Sequence, residues 1–178
     1  MNRLTVFFMM SIVFVMAGCT SDKNNTEETE SIQAQLVASE KTLPSNFESI
    51  SNQSVPKGIQ TELVKTQDVY EDSWKEFQLE GAIPDVDFET NDVLFVGMTE
   101  SGSCPYILDS LNTNIEESQL VITFEPLDDV CTADLSPRSF LIAIDKKLSS
   151  KLTSFRIVTE QKEIEVPILV KSIEYDGK

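Results

Sequence analysis

Apolar positions fall into three textures along the chain. Leu4 to Val15 is apolar except for Thr5 and Ser11, and it carries no charge. From Thr20 to about Gly58 apolar residues are sparse, Ser21 to Glu30 is polar and charged, and Pro44, Pro56 and Gly58 act as breakers. Such a stretch has too little to bury to offset the cost of ordering, and it reads as a flexible acidic tether. Within it, Ser31 to Lys41 holds Ile32, Leu36 and Val37, enough at most for a transient helix too short to stand alone.

From Ile59 onward the apolar positions become dense and periodic. Ile59, Thr61, Leu63 and Lys65 alternate with Gln60, Glu62, Val64 and Thr66, which predicts a first strand. Asp68-x-x-Glu71 fits a capping box, and Tyr70, Trp74 and Phe77 follow at i, i+4 and i+7, placing three rings on one helix face. Large rings at that spacing are core anchors before they are ligand platforms. After Gly81 and Pro84 the texture is β. Val93 to Met98 suits a strand buried on both faces. Tyr106, Leu108 and Ser110 oppose Ile107, Asp109 and Leu111, and Leu120 to Phe124, Phe140 to Ile144, Phe155 to Val158 and Ile164 to Val170 complete the set. The expected fold is α+β and mainly β, an antiparallel sheet or sandwich-like domain with one early helix, spanning residues 59–178.

The first texture has its own meaning. Arg3, a short apolar core and the small residues Ala17 and Gly18 are the marks of an export signal, and the core is too short for a bilayer span. Met16-Ala17-Gly18-Cys19 resembles the lipobox of bacterial lipoproteins. That resemblance implies residues 1–18 as a lipoprotein signal peptide and Cys19 as the lipidated first residue of the mature chain. A diacylglycerol thioether, with palmitate-like acyl chains, itself supplies the two chains that stable anchoring needs. The expected location is the extracytoplasmic face of a cell membrane, with the lipid bilayer a partner through Cys19.

Charge narrows the choice of partners. The chain carries 30 acidic and 14 basic residues, a formal net charge of −16. Such an excess repels phosphate backbones, so nucleic acid is not an expected partner. There is no histidine, which removes Ser–His–Asp and Cys–His activation and every His-based metal site. No glycine-rich phosphate loop occurs, no cofactor is implied, and no catalytic residue is assigned.

With Cys19 committed to lipid, Cys104 and Cys131 are an even pair in an oxidising location, each in a turn-like segment, which argues for a structural disulfide. Closing the intervening loop contributes roughly 3–4 kcal/mol in the chain-entropy account. Asp85 to Asp92 invites a calcium reading, but Thr90 stands where an EF-hand needs Gly and Val96 where it needs Glu, so a solvated turn is expected and no metal site is assigned. Pro137 suits a strand entry, and Arg138 is expected to pair with Asp134 or another carboxylate.

From about Trp74 to Lys146 the chain resembles the PrcB C-terminal domain, named after the B subunit of a bacterial protease complex. The residues that carry this are Trp74-x-x-Phe77, Val86-Asp87-Phe88, the apolar strand Val93 to Val96, the glycine-containing turn before Tyr106-Ile107, and Pro137 leading into Phe140 to Ile144. The turn Gly102-Ser103-Cys104-Pro105-Tyr106 is longer than the family's Gly-Gly-Tyr and carries a cysteine. The resemblance implies a small β-rich domain with no catalytic residues to carry over and a role in protein association, with an extracellular protease as one partner class. The leading expectation is a non-catalytic protein-binding or accessory lipoprotein, with Pro105, Tyr106 and Arg138 as candidate contact residues. Two alternatives stand beside it. One is an inhibitor or regulator of an extracellular protease, presenting a loop near Cys104–Pro105. The other is an envelope hydrolase using paired carboxylates such as Asp87 and Asp109.

Overall fold

A computed structural model describes residues 33–49 and 58–172. Two four-stranded sheets pack face to face. One has strand order β1-β6-β3-β2, built from β1 (Ala34–Glu40), β2 (Ile59–Val64), β3 (Asn91–Glu100) and β6 (Ser136–Asp145). The other has order β4-β5-β7-β8, built from β4 (Tyr106–Asn114), β5 (Gln119–Pro126), β7 (Ser154–Thr159) and β8 (Lys162–Pro167). Helix α1 (Gln67–Glu76) follows β2, and a single helical turn, α2 (Lys146–Ser149), follows β6. The mainly β sandwich expected from the sequence is what the chain forms. One pairing departs from the antiparallel rule. β5 runs parallel to β7, because the chain crosses to the other sheet through β6 and returns through α2 before β7 begins.

The alternation of the strands explains the packing. Leu63 of β2, Leu94 and Val96 of β3, and Phe140, Ile142 and Ile144 of β6 face Leu120, Ile122 and Phe124 of β5 and Phe155 and Ile157 of β7, all buried in one inter-sheet core. The opposite face of the first sheet takes α1. Tyr70, Trp74 and Phe77 pack there against Val93, Phe95 and Leu141, with Phe77 and Phe95 rings 5.0 Å apart and Tyr70 and Phe95 rings 5.8 Å apart. β3 is therefore buried on both faces, as its unbroken apolar run requires. Gly97 on β3 leaves room for Leu43 and Phe77, whose side chains a Cβ would meet at 2.9 and 3.3 Å. Burial pushes the Tyr70 phenol up to about 12.

Three details differ from the sequence reading. First, the stretch expected as tether supplies a strand: β1 pairs antiparallel with β6 from Ala34↔Ile144 to Glu40↔Ser139, with Pro44 and Phe47 buried after it. Folded structure therefore begins before Ile59. The reason is tertiary: β6 has an edge to fill, and backbone pairing there outweighs the weak strand preference of Ala-Gln-Leu-Val-Ala-Ser-Glu. Second, the helix N-cap is Thr66, with no side-chain cap, so Asp68 lies in the first turn and Glu71 instead accepts a hydrogen bond from Gln67 Nε2 at 2.8 Å. Third, β4 carries a bulge at Asp109, between the pairs Leu108↔Phe124 and Ser110↔Thr123. The extra residue reverses the alternation, so that Tyr106, Leu108 and Leu111 pack on the core rather than Tyr106, Leu108 and Ser110.

Candidate functional site: the disulfide-braced end

The turn before β4 and the long loop before β6 meet at one end of the sandwich. Cys104 and Cys131 are bonded there, with their Cα atoms 5.4 Å apart. Cys104 is buried and Cys131 is exposed, so the bond pins an outer loop to an inner turn. Hydroxyls add to the clamp. Ser103 Oγ accepts from the Thr132 N–H at 2.8 Å and lies 2.9 Å from Thr132 Oγ1, and Ser101 Oγ is 3.2 Å from each of those hydroxyls. The Thr132 hydroxyl also hydrogen-bonds Asp134, which holds that carboxyl below its ordinary range. Gly102 lets the Asp134 and Ser136 side chains close over the turn. A Cβ there would collide with the Asp134 carboxylate and meet Ser136 Oγ at 2.9 Å.

A buried ion pair anchors the inner side. Arg138 Nη2 and Nε lie 2.8 and 2.9 Å from Glu100 Oε1, both residues being buried, while Glu100 Oε2 accepts from the Tyr106 N–H at 2.7 Å. The partner of Arg138 is thus Glu100 at the end of β3, not Asp134. The pair joins β3, β6 and the start of β4, and the Arg138 Nη1 reaches Ser39 Oγ of β1 at 3.3 Å. Arg138 is consumed by the fold, Pro105 accepts from the Leu127 N–H at 3.0 Å, and Tyr106 packs on the core while lining a groove of about 370 Å³ beside the loop. The three candidate contact residues therefore sit together but on the inner side.

The outer side carries what the sequence reading missed. Leu127, Val130 and Leu135 are 60, 89 and 79 % exposed on the loop between β5 and β6. Exposed apolar residues scattered singly mean little, but these three share one covalently braced loop. A signal for them was present: Leu127 and Val130 break an otherwise polar Leu-Asp-Asp-Val-Cys-Thr run next to a cysteine. In the loop expected to be presented, near Cys104–Pro105, Cys104 is buried, Pro105 is half-buried and Ser103 is exposed, and Pro105 leads directly into β4.

The remaining candidates separate. Asp87 closes the turn before β3, accepting from the Glu89 N–H at 2.9 Å and the Thr90 hydroxyl at 2.9 Å, and these bonds hold its carboxyl below the ordinary range. Asp109 is exposed on the β4 bulge in the other sheet, and neither acid lines the groove by Tyr106. Asp92, at the end of the Asp85–Asp92 run, is buried and takes a hydrogen bond from Ser149 Oγ at 2.6 Å, with Lys146 and Lys65 ammonium groups at 3.9 and 4.0 Å. Among the described residues no cluster of three His, Cys, Asp or Glu side chains is placed to hold a metal. Cys19 lies outside the described residues, and no described helix is long and apolar enough to cross a membrane. Residues 33–49 and 58–172 thus define a two-sheet β sandwich with a clamped loop at one end. No protein-family model, curated protein or solved structure matches the chain.

Proposed function

We propose that the chain is a membrane-anchored, extracytoplasmic accessory lipoprotein that binds another protein through the Leu127–Leu135 loop and performs no chemistry of its own. The observation that carries the binding reading is the exposure of Leu127, Val130 and Leu135 on a loop fixed by the Cys104–Cys131 bond. A braced loop loses little conformational freedom on binding, which is where affinity is otherwise lost. Asp128 and Asp129 lie between the apolar residues, so the matching partner surface is an apolar pocket rimmed by basic side chains. Anchoring rests on the lipobox-like Met16-Ala17-Gly18-Cys19. The resemblance of Trp74–Lys146 to the PrcB C-terminal domain favours an envelope protease as the partner class.

Replacing Val130 by Asp, on a side chain that makes no core contact, tests the reading. Crosslinking in intact cells should lose a discrete adduct while the fold is retained; an unchanged adduct would place the binding surface elsewhere. The inhibitor reading draws on the same brace. Incubation with extracellular proteases separates the two: stoichiometric inhibition with an intact loop supports an inhibitor, and simple cleavage after Leu127 or Val130 removes that reading.

A further inference from the structure

The sandwich is closed on one long side and open on the other. Residues 169–171 run beside β2, with the Leu63 N–H donating to Leu169 O at 2.8 Å and the Lys171 N–H donating to Leu63 O at 3.0 Å, so that edge is covered. On the far side, β1 of one sheet and β4 of the other flank a cleft of about 490 Å³, within the roughly 300–1,000 Å³ typical of small-molecule sites. Ala34, Leu120, Leu148 and Leu152, all buried, belong to its lining together with Leu111, which the β4 bulge turns inward. Ile115, 70 % exposed on the β4–β5 turn, adds an apolar rim that no core contact explains.

The polar part of the lining is lopsided. Lys151 is its one charged residue, in a chain with 30 acidic and 14 basic residues. Among the described residues Lys151 has no carboxylate partner, whereas Glu117 on the neighbouring turn is held by Arg156 at 2.5 Å. Gln33, Asn112, Thr113 and Ser118 add uncharged hydrogen-bonding groups to the same lining. An apolar floor, a single cation and no acid select a ligand with an aliphatic body and an anionic end. Gln33 is also on the lining, fourteen residues after Cys19, so under the anchoring proposal the cleft stays within about 50 Å of the bilayer surface.

We propose that this cleft binds a single-chain fatty acid, its aliphatic chain against the leucines and its carboxylate beside Lys151. Titration calorimetry of the full-length chain carrying Cys19→Ser, with dodecanoate below its micellar concentration, tests this. One-to-one binding is expected, weakened about tenfold by Lys151→Glu, which reverses an exposed charge. Thr113→Trp, an exposed residue of the lining, should block the cleft and abolish binding. Lys151→Met guards against misfolding of the charge reversal and should weaken binding to a smaller degree. Circular dichroism and thermal unfolding confirm that each variant is folded. Absence of binding by the folded chain, binding that no variant weakens, or equal binding of dodecanol would overturn the proposal. The partition of the Cys19→Ser chain between membrane and soluble fractions is read separately, so a failure of anchoring leaves this result interpretable.

Discussion

At the scale of single residues, the fold depends on charges buried with named partners. Removing Arg138 strands Glu100, whose carboxylate is 1 % exposed and would keep only the Tyr106 N–H. Arg138→Met should therefore cost about 3 kcal/mol, the range for leaving a buried charge unpaired, and Arg138→Met with Glu100→Gln should cost less. Urea unfolding of the two variants checks this, and equal losses would contradict the role given to the pair. A second buried acid gives a pH signature. Burial holds the Glu62 carboxyl above its ordinary value of about 4.5, against the opposing pull of Lys171, whose ammonium lies 3.3 Å away. Burial acts to lower the Lys171 pKa, but hydrogen bonding to Glu76 and the charge of Glu62 outweigh it and raise the value. A raised acid pKa means that the native state holds its proton more tightly than the unfolded chain does. The stability contributed by protonated Glu62 is present below about pH 4.5 and is lost as pH rises through the native value. The stability of the wild type minus that of Glu62→Gln should thus fall with rising pH in that window; a flat difference would contradict it. The Lys171 contribution runs to the alkaline side and is lost only as pH climbs above about 10.5.

At the scale of elements, the sequence was most legible where burial imposed a clear period. The rings of Tyr70, Trp74 and Phe77 and the run Val93–Val96 announced their own packing, because a helix stripe and a doubly buried strand each leave a distinctive pattern. β1 was illegible for a physical reason. Its Val37 lies at a register shift, its Leu36 is 43 % exposed, and its ordering comes from the edge of β6 rather than from its own residues. The bulge at Asp109 hid the inward turn of Leu111 in the same way, since one inserted residue reverses the alternation. The ends of the fold follow this logic. A chain lacking residues 1–40 should lose cooperative unfolding or several degrees of Tm, because the β6 edge is left bare; an unchanged melting curve would return that stretch to the status of a linker. Reducing the Cys104–Cys131 bond should lower stability by roughly 3 kcal/mol and speed hydrogen exchange chiefly in residues 127–135. Protection that stays uniform after reduction would show that the loop is braced by other means.

At the scale of the whole molecule, the candidate site was only half legible. The disulfide followed from cysteine arithmetic, yet which of its two loops faces outward depends on Pro105 feeding β4, a fact of topology that no local motif carries. Glu100 was equally hidden, since it meets Arg138 only through the β3–β6 register that pairs Met98 with Arg138. The braced end and the β1–β4 side of the sandwich consequently have different characters: a clamped loop with exposed apolar residues at the first, and an open cleft with a single lysine at the second. Under the anchoring proposal, Cys19→Ser should move the chain from the membrane to the soluble extracytoplasmic fraction, and unchanged membrane retention would contradict it. The most direct test of protein docking at the braced end is photo-crosslinking in intact cells from a reactive group placed at position 130, compared with one at the exposed Glu125. A discrete adduct from position 130, absent from position 125 and lost when Cys104 and Cys131 are both replaced by Ser, is the predicted result. No adduct from position 130, or equal adducts from both positions, would contradict it.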